Sequence, residues 1–516
     1  MTRIHRSLVN MFSSAIGYAV PMLVNVVATP YLLRRLGPAA FGLQSFVSVI
    51  IGYLTVMDMG LDLPIIKLLS EDRAKKDVDS ENRMLSTTLQ LYGVIGLIGM
   101  VLIILGADFF TQSVFKIPQE MIPQARLVFR LAGIGFLGSM GLSWGRALAM
   151  GLQRFELSYG VFVASNVVGV GLGIVIVYCG YGVIGYVLVR VATSLLSGVA
   201  QWVLARKLLP SFNFRWGIHR PTLSRIGTYI GCGVINRAVS GLVSRLDQTL
   251  IGIWIGVAAA GVYSVPFLVV SSLGYVISYI LGFMFPMASE LQVAGDIARL
   301  RQIFVRASRF IAAIAGMMFV PLFTLGDEFL TLWVPSIASQ AVGVLRLLTL
   351  ATYVTTLCAS LNNNVVVGMG YIRQYTYYAT VRSLVLSGLC ILLIHPFGLL
   401  GAGYALLVTG IVDIVFLIYT VRNNMQLKAG ELFATAYAKP IILSIVISCL
   451  AWASRSFVHS WQSLVIAVVS IECLFIAFGW LIGVFGETER RALGIIWDFF
   501  VARKNASDLP QTNNGD

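Results

Sequence analysis

Apolar residues fall in blocks of about 20 along most of this chain, the length a helix needs to cross about 30 Å of hydrocarbon. Short connections, polar or bearing glycine, separate the blocks. None shows the period-two alternation that a membrane β-barrel requires. Hydrocarbon offers a backbone no hydrogen-bond partners, so such blocks cross it only as helices. The pattern predicts spans at 9–33, 40–66, 86–107, 124–149, 157–179, 183–205, 226–254, 260–286, 303–326, 339–367, 374–395, 399–421, 438–455 and 462–484. The expected fold class is an all-α polytopic membrane protein of about 14 transmembrane helices.

Alternate connections carry the positive charge: Lys67 to Arg83, Arg206 to Arg225, Arg299 to Arg309, and Arg490 to Lys504. The opposite connections, such as Gly180–Gly182, Val257–Ala260 and Pro396–Gly398, carry almost none. By the positive-inside rule this places both termini in the cytoplasm of a bacterial inner membrane. Arg34, Arg35 and Lys116 run against the trend. The basic start followed by an apolar block could pass for a signal peptide. The block is too long for one, and it is read as the first span.

Composition changes the picture little. Of 516 residues, 58% are hydrophobic and 12% charged, against roughly a quarter charged in soluble domains. The net charge of +14 sits in the short connections, so topology explains it and nucleic acid is not an expected partner. The 6 cysteines all lie in apolar blocks without a CxxC pair, and the 4 histidines are isolated. That pattern points to packing residues and to no metal site or cofactor.

Internal similarity gives the architecture. Leu36–Ser45 (LGPAAFGLQS) lies beside Ile255–Ser264 (IGVAAAGVYS), a shift of 219 positions from Gly37 to Gly256. The same shift carries Ser70-Glu71 onto Ser289-Glu290, and Met150-Gly151 with Arg154 onto Met369-Gly370 with Arg373. A repeat unit of six spans is even, so both copies enter the membrane in the same orientation, as a parallel repeat. The expected units are a six-helix lobe at 1–215, a second at 216–430 across a central cleft, an appended helix pair at 431–486 and a cytoplasmic tail at 487–516.

Polar side chains inside apolar spans are costly and normally face protein or water. On the seventh span Tyr229, Gly233, Asn236, Ser240, Ser244 and Asp247 recur at helical spacing with Arg237 beside them, which makes one stripe. Asn25 on the first span and Asp58 on the second occupy corresponding places in the other lobe. Further charges within spans are Arg146, Arg190, Arg346, Arg382, Asp413 and Glu472, with Arg146 near a cytoplasmic helix end where snorkelling is expected. The expected cleft lining is Arg237, Asn236, Asp247, Ser240, Asn25, Asp58, Arg190, Arg346, Arg382 and Asp413; Glu472, on the appended pair, is read as structural or groove-facing. Arginines suit a phosphate or pyrophosphate, because the guanidinium fork matches its oxygens. Asp58, Asp247 and Asp413 could take a coupling H+ or Na+, or pair with the arginines. The residues alone leave both open.

Several of these motifs together resemble a known family. Tyr31–Gly42 (YLLRRLGPAAFG) followed by Met57–Leu61 (MDMGL), Gly151–Phe155 (GLQRF), Leu246–Gly252 (LDQTLIG), Phe285–Ser289 (FPMAS) and Leu332–Val334 (LWV) are similar, in order and spacing, to Wzx-type O-antigen and exopolysaccharide flippases. These form the polysaccharide branch of the multidrug/oligosaccharidyl-lipid/polysaccharide exporter superfamily. The resemblance implies a non-enzymatic transporter that flips a polyprenyl-pyrophosphate-linked oligosaccharide between leaflets by alternating access, with a lateral groove for the lipid. Its partners would be that lipid-linked glycan, membrane lipid, and a polysaccharide polymerase with export machinery. Asp58, Gly60, Asp247 and Pro286 match the family motifs. A drug/cation antiporter of the same superfamily would keep the fold, but an arginine-rich interior disfavours cationic cargo. A membrane polysaccharide polymerase would need a longer outer loop than 107–123, and no GxxxxGK[ST] sequence is present for ATP hydrolysis.

Overall fold

The computed structural model describes residues 3–484, leaving out 55–57, 59, 218, 228–240, 242 and 244. Among the described residues there is no strand, and twelve helices are long and apolar enough to cross a membrane. The first two expected spans form one element, α1 (Arg3–Leu54), bent at Gly37, whose φ of 79° and ψ of 165° leave the helical region. Glycine reaches that geometry without a Cβ clash, and Pro38, lacking an N–H, cannot close the ladder across it. The expected second span, 40–66, is also cut short. Helix α1 stops at Leu54, and α2 (Asp62–Ala74) begins after Gly60, which has φ 74°. Most of the expected seventh span, 226–254, lies outside the described residues, so the fourteen expected helices are not all represented.

The chain continues as α3 (Val78–Phe109), α4 (Ile122–Gly151), α5 (Phe155–Tyr178) and α6 (Gly182–Leu208). It resumes with α7 (Leu246–Trp254), α8 (Val257–Ile280), α9 (Met284–Val293), α10 (Ile297–Thr324), α11 (Gly326–Trp333) and α12 (Ala338–Thr355). After a π-turn at Thr356–Ser360 come α13 (Leu361–Gly368), α14 (Ile372–Phe397), α15 (Leu399–Asn423), α16 (Ala429–Leu432), α17 (Ala438–Ala453) and α18 (Trp461–Ile482). Helices α4, α5 and α6 pack on one another and on α1, and α3 packs on α4. Helices α8, α10, α12, α14 and α15 form a second body, and α17 joins it along α10 and carries α18. Rows of Val, Leu and Ile stay exposed on the outer faces, as on Val94, Leu97, Ile98, Val101 and Leu105 of α3. A bilayer would cover them.

The two bodies meet where α1 packs on α8. A Cβ on Gly42 would lie 2.0 Å from the Val257 carbonyl oxygen, and one on Gly261 2.3 Å from the Pro38 oxygen. Only glycine allows backbones this close, the device by which membrane helices pack without large side chains. Ser45 Oγ donates to Ser264 Oγ at 3.3 Å. Gly42 and Gly261, like Ser45 and Ser264, are related by the 219-residue shift of the repeat. In a twofold arrangement a residue touches its own equivalent only on the axis, so the internal axis passes through this contact.

The same end of the molecule is stitched further. The Lys116 amide donates to the Gly252 oxygen at 3.2 Å, and the Val257 amide to the Lys116 oxygen at 3.3 Å. The Lys116 ammonium also reaches the Trp254 oxygen, and the Phe46 ring fills the space over Gly252. These residues, the bend at Gly37 and the connection at Gly256 all fall on the side opposite the positively charged connections.

Candidate functional site

The chemistry of the interior gathers in the second body. On α14, Tyr375, Tyr378 and Arg382 follow one another at three- and four-residue steps, so they share one helix face. That face meets α15, where Asp413 is wholly buried. An isolated carboxylate there would be untenable, and the structure surrounds it with donors. Arg382 Nε donates to Oδ1 at 2.8 Å, the Tyr378 hydroxyl to the same oxygen at 2.7 Å and the Thr355 hydroxyl to Oδ2 at 2.9 Å. Tyr378 is held flat on Phe416, with ring centroids 4.0 Å apart. Arg382 has thus given its Nε to a fixed anchor, while its side chain stays 25% exposed.

What it is exposed to is a polar cavity of about 490 Å³, lined by Asp247, Ser360, Asn363, Asn364, Tyr375, Tyr378, Arg382 and Ser383 among others. Asp247 opens α7 on the wall of this cavity. The Gln248 amide donates to its Oδ1 at 2.7 Å, and the Tyr263 hydroxyl donates to Oδ2. Arg245, two residues earlier, lies over the Phe267 ring at 4.9 Å. Both buried carboxylates therefore already accept hydrogen bonds, and Asp413 has a guanidinium counter-charge as well. The question the sequence left open is answered for this pair: Asp413 is Arg382's partner.

The other expected lining residues do not all join this cavity. Asn25, on α1, donates to the Pro21 oxygen at 2.6 Å and lies 3.5 Å from Asn166 Oδ1 on α5. Asp58 accepts from the Gly60 amide at 3.0 Å in the turn between α1 and α2. Arg190 lies in the seam between α5 and α6, where a Cβ on Gly169 would come within 3.0 Å of its Nη1. Arg346 is displaced from the expected cleft: its guanidinium lies over the Trp452 ring at 4.8 Å, on the appended helix α17. The reason is helical phase. Arg346 and Thr355 are about two and a half turns apart at roughly 3.6 residues per turn, so they occupy opposite faces of α12. Arg455 stacks on Trp452 at 4.5 Å and pairs with Asp327 and Glu328. Glu472, read as structural or groove-facing, has an Oε2 that is buried without a hydrogen-bond partner. Arg237, Asn236 and Ser240 lie outside the described residues.

Sequence reasoning missed Thr355, Tyr378, Tyr375, Asn363 and Asn364. A signal was present for the tyrosines, in their register with Arg382, and for the asparagines, in the run Asn362–Asn364 within an apolar span. Thr355 carried none, since a threonine satisfied by its own helix is ordinary in a span.

Comparison with known proteins adds a second line. A family model described as "Polysaccharide biosynthesis protein" matches residues 31–342. The membrane protein EpsK of Bacillus subtilis (strain 168) is 21% identical over 340 residues, 64% of this chain and 66% of that one, just under two thirds of its length. A Shigella flexneri protein named as an O-antigen transporter is 23% identical over 300 residues, covering 57% of this chain and 68% of its own. Among solved structures, the lipid II flippase MurJ in an inward closed conformation superposes with a TM-score of 0.69 over 92% of this chain and 99% of its own. At 13% identity that is a likeness of fold.

Proposed function

The chain belongs to the polysaccharide biosynthesis protein family, and from that premise we propose that it is a flippase for a polyprenyl-pyrophosphate-linked oligosaccharide. The cargo is an O-antigen or exopolysaccharide repeat unit, carried from the inner to the outer leaflet of a bacterial inner membrane by alternating access. The Wzx-type resemblance of its motifs points to the same family. The lobes, residues 1–215 and 216–430, rock about the glycine contact between α1 and α8, and both termini lie in the cytoplasm. With the Gly42, Gly261 and Lys116 contacts made, the closed end is the external one.

The observation that carries this reading is the polar cavity walled by Arg382. A guanidinium fixed through Nε on the wall of the cavity is suited to phosphate oxygens. It is poorly suited to a cationic drug. The lining comprises Asp247 and Arg382 here, with Asp413 buried behind Arg382 as its anchor; Asn236, Arg237 and Ser240 on the seventh span, and Asn25, Asp58 and Arg190 in the first lobe, would extend it. Arg346 belongs instead to the seam with the appended pair. A coupling H+ or Na+ would have to use a carboxylate other than Asp413, which Arg382 already occupies. A polymerase and export machinery would take the cargo on the far side.

The test is glycan export in cells whose own flippase gene is deleted. Arg382→Ala should lower export per folded protein by about tenfold or more, at least ~1.4 kcal/mol, beyond any loss of protein caused by stranding Asp413. Arg382→Lys should recover part of it, since charge returns without the fork. Wild-type export by the alanine variant would remove the cavity from the route.

A further inference from the structure

The connection between the two halves does not hang free. From Leu209 to Gly217 it is irregular, yet three side chains of α3 hold it in place. Asn82 Nδ2 donates to the Ser211 oxygen at 3.1 Å, and the Asn213 amide returns to Asn82 Oδ1 at 3.2 Å. The Arg215 amide donates to Ser86 Oγ at 3.0 Å. Gln90 donates to the Arg215 oxygen at 3.0 Å and accepts from the Gly217 amide at 3.1 Å. Phe212, buried against Trp144, anchors the start of the segment.

From Asn82 to Gln90 the segment climbs two turns of α3, about 12 Å at ~1.5 Å per residue. It turns at Gly217, whose φ of 104° favours glycine, and descends again. His219 meets Arg83 at 3.3 Å, and Arg225 reaches Asp72 and Ser80, each at 3.1 Å. The tip of this loop is Trp216, 88% exposed, with its ring edge-on to Phe214 at 5.1 Å.

The position of the tip identifies its surroundings. Asn82, Ser86 and Gln90 lie on one face of α3, spaced four residues apart. Continued upward, that same face bears Val94, Leu97, Ile98, Val101 and Leu105, all exposed and apolar. The loop therefore ends where the lipid-facing surface of α3 begins. An exposed indole at that level is the residue type that anchors proteins at a membrane interface. The basic side chains Arg206, Lys207, Arg215 and Arg220 flank it, and among the described residues only Arg215 is paired with a carboxylate, that of Asp79. We propose that residues 209–217 form a lip that docks on the membrane surface, with Trp216 seated at the headgroup boundary and acidic phospholipid headgroups as its partner. The lip then stays with the first lobe and the bilayer, and rocking of the second lobe begins beyond Arg225.

The test uses the full chain in nanodiscs of phosphatidylcholine brominated near the headgroup end of its acyl chains. Subtracting the emission of Trp216→Phe from that of the wild type isolates residue 216 from the other tryptophans. Trp216→Tyr gives the same subtraction should the first variant express poorly. The expected result is loss of the difference signal in brominated lipid and its protection from acrylamide. A difference signal quenched by acrylamide and untouched by brominated lipid would overturn the proposal and point to water or a soluble partner at the tip. Adding phosphatidylglycerol should shift the signal to the blue, and the shift should vanish in the Arg206→Gln, Arg220→Gln double variant. No shift in the wild type would overturn the acidic preference.

Discussion

The two halves share a repeat but differ inside. Among the described residues of the first, the intramembrane arginines Arg146 and Arg190 have no ion pair, and polar contacts between its helices, such as Asn25 to Asn166 and Trp144 to Thr88, join neutral groups. The second half holds a buried carboxylate, three donors around it and a polar cavity alongside. The interface that joins the halves is symmetric to the residue, Gly42 on Gly261 and Ser45 on Ser264. The lesson is that the shared repeat preserves the packing surface, where backbone contact tolerates nothing larger, and frees the interiors to diverge. Charge has been concentrated where a network can satisfy it.

The largest effect should come from breaking that network. Asp413→Ala leaves Arg382, mostly buried, without its counter-charge. Removing one member of a buried pair costs about 3–5 kcal/mol, and contact with the polar cavity puts this case toward the lower figure. Thermal unfolding in detergent should show a marked drop for Asp413→Ala. Replacing both residues, Asp413→Ala with Arg382→Met, should restore much of the stability, because no buried charge is left unpaired. Export should fail in both variants. A double variant as unstable as the single one would mean that the ion pair is not what the second interior depends on.

Next in size is the shared interface. A methyl at Gly42 or Gly261 meets backbone oxygen far inside contact distance, and overpacking of this kind costs about 1–3 kcal/mol. The strain exists only while the lobes touch, so it favours the arrangement in which this end opens. In a cysteine-free background, Ser45→Cys is buried under the contact. Its labelling by a membrane-impermeant thiol reagent should rise by about tenfold, ~1.4 kcal/mol, when Gly42→Ala or Gly261→Ala is added. The two substitutions should act alike, since each sits on the axis. A response from one and not the other would break the symmetry of the joint.

These regions were legible in the sequence to different depths. The glycine pairs announced themselves because a repeat of spacing survives where backbones touch. Helical character followed from block length and the demands of hydrocarbon. The bend at Gly37 was hidden because a Gly-Pro step between two apolar blocks reads as a loop, whereas the helix resumes at once beyond it. Arg382 and Asp413 were picked out one by one as intramembrane charges, but their pairing depends on how α14 and α15 are rotated against each other, which no spacing along one helix encodes. Arg346 was placed in the cleft for the same reason. Its span is amphipathic on two sides, one toward the cavity at Thr355 and one toward the appended pair at Trp452, and periodicity alone could not rank them.

The smallest effect tests the amide contact of the first half. Asn25 donates to a carbonyl of its own helix at 2.6 Å, while its reach to Asn166 is long, at 3.5 Å. Alanine at this position gives up hydrogen bonds of net worth about 1 kcal/mol. It strands no buried charge, and the Pro21 oxygen stays within the helical ladder. Asn25→Ala should therefore unfold close to the wild type and export at a rate within about threefold of it, ~0.65 kcal/mol. The matched measurement is Arg382→Ala in the same strain. If Asn25→Ala cut export as deeply as Arg382→Ala, cargo would have to bind both interiors equally, and the distinction between the amide contact of the first lobe and the ion pair of the second would lose its functional meaning.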